Sequence, residues 1–319
     1  MTDVWVVGAG GLLGSALVRR ARSTARLFSS ARIPWGSPEA VDVLRAEADR
    51  FHRQRADGHP WVVVWAAGAA VIASTPDQLE QEQQVLLEFA EALARRGEPH
   101  GCLLFASSAS VYGTSRAVAS DELSPVAPLS GYARAKLAQE DALRAILAGR
   151  VPLATARLAT LYGPGQDVTK GQGLISSMCH EALTRRTVSI FVPMDTTRDY
   201  LYTDDAATRC LHVAHTCLAR AEDVTRVVAS GRPTTIGEIA RTVQAVAHRR
   251  SPLLQVVATG SAHARHVALR TTDRSLAALP TTPLPNGVAA VYRDLVGRYQ
   301  RASTAGPMSP RTLRSDSRR

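Results

Sequence analysis

Lysine is almost absent from this chain. Of its 38 basic residues only two, Lys136 and Lys170, are lysines. Long apolar runs are missing too. No stretch approaches the roughly 20 residues of a membrane span, and no basic n-region precedes the strand-like Val4-Trp5-Val6-Val7. Both absences argue against a membrane or exported protein. The four cysteines, Cys102, Cys179, Cys210 and Cys217, stand in no framework spacing. That excludes a disulfide scaffold and points to free thiols in a reducing cytoplasm. The net charge is +10, yet no stripe interleaves basic and aromatic residues. Part of the charge lies in residues 301–319, which carry five arginines against one aspartate and read as a disordered basic tail. The remainder is spread along the chain, so no nucleic-acid partner is expected and an anionic small substrate is.

Apolar and helical patterns alternate through the first half. Strands are expected at Val4–Gly8, Ala25–Ser29, Trp61–Ala67, Cys102–Ser107 and Leu153–Leu158, with helices at Leu12–Arg22, Pro76–Arg96 and Gly131–Leu147. Such alternation predicts an α/β fold with a parallel sheet wrapped by helices. Thr75, Pro76 and Gln78 form a capping-box start for one helix. The stretch from Trp35 to His59 lacks a short apolar run and reads as a helix, Pro38–Arg53, and a loop. Beyond Gly163, Gly, Pro and Thr loops alternate with helices near Leu174–Leu183 and Ile236–Ala247 and strands near Val188–Val192 and Arg226–Ala229. This predicts a dinucleotide-binding domain over 1–163 and a mainly substrate-binding region over 164–300, part of which returns to the first domain.

Three groups of residues carry chemistry. The first strand runs into Gly8-Ala9-Gly10-Gly11-Leu12-Leu13-Gly14 and then a helix. Glycines there permit a tight turn and let backbone approach a pyrophosphate at a helix N-terminus. Ser107-Ser108 closes the Cys102 strand, where open α/β sheets bind ligands. Tyr132 and Lys136 stand four apart, on one face of a helix. An ammonium beside a phenol favours the phenolate, so the Tyr132 pKa is expected below its usual value of about 10. The Cys210-Leu211-His212-Val213-Ala214-His215-Thr216-Cys217 run tempts a metal reading. On a helix the cysteines share one face and the histidines the opposite one, so no metal site is expected.

Together these motifs resemble the extended short-chain dehydrogenase/reductase family of nucleotide-sugar epimerases and dehydratases, over nearly the whole chain to about Gly287. Arg157 through Tyr162-Gly163-Pro164-Gly165 and the run Arg198-Asp199-Tyr200-Leu201-Tyr202-Thr203-Asp204-Asp205 resemble two further signatures of that family. The resemblance implies a doubly wound Rossmann sheet with a smaller C-terminal substrate-binding domain, and NAD or NADP as cofactor. Gly8, Gly11, Leu12, Leu13, Gly14, Ala66 and Ala67 would bind the dinucleotide. Tyr132 would be the general acid/base, Lys136 would hold the nicotinamide ribose, and Ser108 would orient the reacting oxygen. Thr160 and Arg198 would meet the nucleotide-sugar diphosphate. Relatives are often homodimers.

The chain also departs from that pattern. No acid occurs from Val4 through Pro38, although NAD enzymes of this fold place one at the end of the second strand. Arg32 lies there instead and could pair a 2′-phosphate, which leaves NADP open. Ala109 and Ser110 replace the Asp-Glu pair that follows the catalytic residue of the dehydratases, which disfavours dehydration. An epimerase acting through a keto-sugar is the expectation. An NADPH-dependent keto-sugar reductase is the alternative, and a catalytically idle dinucleotide sensor or scaffold is another of a different class.

Overall fold

The computed structural model describes residues 1–55, 58–68, 74–96, 100–114, 119–170, 173–248, 253–255 and 266–304. Its main body is a six-stranded sheet of β1 (Thr2–Val7), β2 (Ala25–Phe28), β3 (Trp61–Trp65), β4 (Gly101–Ser108), β5 (Leu153–Leu158) and a strand from far along the chain, Val224–Val228. All neighbours are parallel, in the order β2, β1, β3, β4, β5 and the Val224 strand. Parallel strands buried on both faces need near-continuous apolar runs, and these have them. On β4, Cys102 and Leu104 face one apolar layer while Leu103 and Phe105 face the other. β1 and β3 divide the same way, with Trp5, Trp61 and Trp65 all in the second layer.

Helix α1 (Leu12–Ala21) covers the first layer, and α2 (Ala40–Gln54), α3 (Pro76–Arg96) and α4 (Gly131–Leu147) cover the second. Among the described residues no strand lies between β2 and β3. α2 fills that interval, so β2 is the sheet edge. The expected box at Thr75 is present: the Thr75 N–H donates to Gln78 Oε1 (3.1 Å) and the Gln78 N–H to Thr75 Oγ1 (3.4 Å). The connection from β1 runs to β2 and that from β3 runs to β4, in opposite directions along the sheet, which places the switch point, and the crevice that goes with it, between the ends of β1 and β3.

The second half adds β6 (Thr160–Tyr162), α5 (Leu174–Thr184), β7 (Val188–Ile190), β8 (Thr197–Tyr202) and α6 (Thr203–Arg220). After α6 come β9, the Val224–Val228 strand already described, then β10 (Pro233–Thr235), α7 (Ile236–Ala247), β11 (Leu253–Gln255), α8 (Arg274–Ala277) and α9 (Leu284–Thr304). α6 packs on α1, and β9 completes the main sheet. β10, β8 and β6 form a small sheet, and α5, α7 and α9 pack around a separate apolar cluster that includes Met178, Ile239 and Val291. Several element ends differ from the sequence reading, those of β9 and the tail among them. β9 starts at Val224, two residues early, because Val224 as well as Val227 and Val228 is buried. α9 continues to Thr304, so the first four residues of the expected tail are helical and the rest lies outside the described residues. Among the described residues no helix is long and apolar enough to cross a membrane.

Candidate active site

Two cavities lie at the C-terminal edge of the main sheet. The first, about 390 Å³, lies at the switch point and is lined by Gly8, Gly11, Trp35, Trp65, Ala66, Ala67 and Glu82, among others. Its floor demands glycine. A Cβ added at Gly8, where φ is +88°, would lie 2.6 Å from the Ala67 nitrogen. One added at Gly14 would lie 2.0 Å from the Gly8 carbonyl oxygen, so Gly14 lets α1 press against the turn. Gly11, which lines the cavity, caps α1 with no side-chain hydrogen bond to its first amides and no acid in the first turn, so the positive end of the helix is left uncompensated there. The Leu13 side chain is buried in the first apolar layer beside Ala16 and Leu17. Neither Leu12 nor Leu13 lines the cavity, and Arg32 is exposed and outside it.

The second cavity, about 190 Å³, is lined by Ser108, Ser110, Ser130, Tyr132, Thr160, Arg198 and Asp199 with apolar neighbours. The main sheet brings Ser108 there at the end of β4. α4 brings Tyr132, its N-terminus fixed by Ser130, whose hydroxyl accepts from the Ala133 amide (3.1 Å). The small sheet brings Thr160 and Arg198, on the adjacent parallel strands β6 and β8. Ser108 does two jobs. Its hydroxyl caps the following 3-10 turn, accepting from the Ser110 amide (3.2 Å), and it lines the same cavity as Tyr132, whose ionised form it favours. Ser110 Oγ lies 2.9 Å from Ser108 Oγ. Burial pushes the Arg198 guanidinium below its usual pKa, and its Nη1 donates to the Thr197 carbonyl (2.8 Å).

Lys136 lines neither cavity; it packs in the wall between them, near Glu82 of the first and Tyr132 of the second. Its Nζ is 5.9 Å from the centre of the Tyr132 ring, 5.0 Å over the ring of Phe105 and 3.7 Å from Glu82 Oε1. This overturns the expected lowering of the Tyr132 pKa. Desolvation pushes the phenol up to about 12, and the negative charge of Glu82 adds to that against the Ser108 hydroxyl. Tyr132 as a whole is half-buried; its hydroxyl end is the crowded part. Lys136 itself is pushed down by desolvation, with Glu82 and Glu140 opposing.

Glu140, one turn beyond Lys136 on α4, is fully buried and anchors this wall. It accepts from Arg157 Nη2 (2.7 Å) and Nε (3.1 Å) and from Ser107 Oγ (2.5 Å). Arg157 Nη1 donates to the Tyr112 hydroxyl (2.9 Å). Arg157 is thus a support beneath the site. Neither Glu82 nor Glu140 was singled out from sequence. The available signal was an acid on an apolar helix face: Glu82 stands in register with Leu86, Phe89 and Leu93, and Glu140 with Ala133, Leu143 and Leu147.

The architecture is that of a dinucleotide-binding enzyme fold with an appended lobe. Over 93% of its length the chain superposes on MoeE5 in complex with UDP-glucose and NAD (TM-score 0.75, 22% identity, 99% of that chain). It superposes over the same share on a UDP-glucose 4-epimerase of Thermus thermophilus in complex with NAD (TM-score 0.75, 20% identity, 99% of that chain). At these identities the likeness is one of fold. In sequence it is 34% identical to a dTDP-L-rhamnose 4-epimerase of Burkholderia thailandensis over 133 residues, 40% of this chain and 35% of that protein. It is 37% identical to a UDP-glucose 4-epimerase of Mycolicibacterium smegmatis over 101 residues, 31% of this chain and 32% of that protein. The matched segment thus spans about a third of the length of these curated relatives. The profile of the NAD dependent epimerase/dehydratase family matches residues 4–229. This chain belongs to the NAD dependent epimerase/dehydratase family.

Proposed function

We propose that the chain is an NAD(P)-dependent epimerase that inverts a hydroxyl-bearing carbon of a nucleotide-activated sugar through a transient keto-sugar. Carbon 4 is the position named for the relatives. The observation that carries this reading is the meeting of Ser108, Tyr132, Thr160 and Arg198 around one cavity, with Lys136 in the wall shared with the glycine cleft.

The glycine cleft fits a dinucleotide. Side chains are excluded at Gly8 and Gly14, and the N-terminus of α1 is open toward the phosphates. When bound, the nicotinamide supplies the acceptor and then the donor of hydride. The chain manages the proton and the geometry. Ser108 orients the reacting oxygen toward Tyr132, beside which its hydroxyl lines the cavity. Once ionised to the phenolate, Tyr132 takes the hydroxyl proton during oxidation and returns it during reduction. With its pKa up at about 12, Tyr132 rests protonated. Return of the proton is therefore the easier half, and the oxidative half leans on the nearby Lys136 ammonium to stabilise the phenolate. Arg198 suits a diphosphate, since a half-buried guanidinium binds such oxygens bidentately. Thr160 adds a hydroxyl from the next strand.

The protonated Tyr132 and the acid-free end of β2 also favour a second reading, an NADPH-dependent keto-sugar reductase. One experiment separates them. Purified protein is incubated with UDP-glucose and, separately, with dTDP-L-rhamnose, with no cofactor added, and the sugar is followed by NMR while small molecules retained on purification are identified by mass spectrometry. The epimerase reading expects a retained dinucleotide and a C4 epimer formed catalytically. Turnover that demands stoichiometric NADPH would overturn it in favour of the reductase.

A further inference from the structure

Among the described side chains that line the glycine cleft, Glu82 alone carries a charge. Its carboxylate is packed tightly against the backbone: a Cβ added at Gly68 would lie 2.9 Å from Glu82 Oε1. The partner that reaches it from α4 is Lys136, at 3.7 Å, and the two side chains are 16% and 7% exposed. We propose that Glu82 is a positioning residue of the catalytic site, which fixes the Lys136 ammonium in the wall between the cavities and cancels much of the field by which that ammonium would ionise Tyr132. The proposal rests on the reading of Tyr132 as the acid/base given above.

The surrounding charges support this assignment. Lys136 faces Glu82 from α3, the ring of Phe105 from β4, and Tyr132 and Glu140 along its own helix. Glu140 is already bound on its far side by Arg157 and Ser107. Tyr112 accepts from the same guanidinium. Glu82 is therefore the carboxylate that addresses the ammonium directly. Tyr132 faces the Ser108 hydroxyl from β4 and the charge of Glu82 from α3. Glu82 thus acts on both members of the Tyr-Lys pair. It keeps Lys136 charged where burial would deprotonate it, and it holds Tyr132 in its protonated form.

The scarcity of lysine gives the test. Protein labelled with ¹³C,¹⁵N-lysine carries two lysine side-chain signals, from Lys136 and Lys170, and Lys170→Arg assigns them. Tyr132 is followed by ¹³C-tyrosine, with Tyr132→Phe for assignment. In Glu82→Gln, which keeps the shape and removes the charge, the Lys136 titration should move to lower pH by about one unit or more. The Tyr132 titration should begin at lower pH as well. Glu82→Asp, with a retracted carboxylate, should move Lys136 in the same direction by less, and serves if Glu82→Gln does not fold. Titrations unchanged in the folded variants would overturn the role of Glu82. These measurements need no substrate. Failure of the protein to retain a dinucleotide or to epimerise would therefore sink the functional reading while leaving the coupling of Glu82 to Lys136 in place.

Discussion

Replacing Glu140 by Gln removes the charge that answers Arg157 inside the wall beneath the active site. The carboxylate is fully buried, and the Arg157 side chain is 10% exposed. Nε and Nη2 of Arg157 and Oγ of Ser107 all donate to it. A glutamine offers one acceptor oxygen and turns an NH₂ group toward one of these donors, while the guanidinium stays charged. Leaving one partner of a buried ion pair uncompensated costs about 3–5 kcal/mol. The surviving acceptor, and the Tyr112 hydroxyl that still accepts from Nη1, place the expected value near the lower end, at about 3 kcal/mol. For a protein of this size that lowers Tm by roughly 5–10 °C. The assay is thermal unfolding followed by circular dichroism, on the parent, on Glu140→Gln and on the double variant Glu140→Leu/Arg157→Met. The double variant should recover most of the loss, because an apolar pair of similar volume removes the stranded charge. A Glu140→Gln protein that melts within about 2 °C of the parent, or a double variant less stable than Glu140→Gln, would refute the reasoning.

Tyr132→Phe should lower turnover by about 10²–10⁴-fold while leaving retained dinucleotide unchanged, as read by mass spectrometry of the purified protein. Arg198→Ala should weaken binding of UDP, used as a diphosphate probe in calorimetry, by about ten-fold or more, in line with the loss of a charge-assisted contact. Gly14→Ala places a methyl 2.0 Å from the Gly8 carbonyl oxygen, so it should displace α1 and abolish dinucleotide retention, with a Tm drop in the same preparation. Burial raises the Asp199 carboxyl to about 6 despite hydrogen bonds from the Ser230 and Gly231 amides. The native state therefore holds a proton that the unfolded chain releases near pH 4. The stability this supplies is fully present below about pH 4 and is lost as pH rises through about 6. Relative to Asp199→Asn, the parent should lose on the order of 2 kcal/mol between pH 4 and 7, measured by urea unfolding at both pH values.

Much of the fold was legible because parallel strands buried on two sides leave little choice of residue. Val4 to Val7, Trp61 to Trp65 and Cys102 to Phe105 are unbroken apolar runs, and each became a strand with alternate residues in alternate layers. The missing third strand was legible for the opposite reason, since Pro38 to Arg53 carries the periodicity of a helix and became α2. The three-residue strands β6, β7 and β10 were harder, because so short a segment carries little pattern and owes its form to its neighbours. In the site, Ser108, Tyr132, Thr160 and Arg198 could be named from motifs, and they line one cavity. The electrostatics could not. The spacing of Tyr132 and Lys136 on one helix suggested a phenol ionised by an ammonium. Burial of the phenol reverses the sign, and Glu82, arriving from another helix fifty-four residues before Lys136, adds to it. Local spacing fixes which side chains share a face; it does not say what the opposing element brings to them.

A sheet that ends at β2 keeps a row of backbone groups with, among the described residues, no strand beyond it, and such a row is a template on which other chains can assemble. Here the template is four residues long, shorter than the usual strand of about five or six. It is also fenced by arginine. Arg26, on β2 itself, is tied to Asp3 and to the Gln54 carbonyl, and Arg50 donates to the Ser29 carbonyl just past the strand. A strand arriving from solvent would meet two guanidinium groups already engaged and a ladder too short to hold it. By omitting a strand the chain has shortened its own adhesive margin. Extending β2 by apolar residues, or trimming Arg26 and Arg50, would be the route by which this fold is made to aggregate.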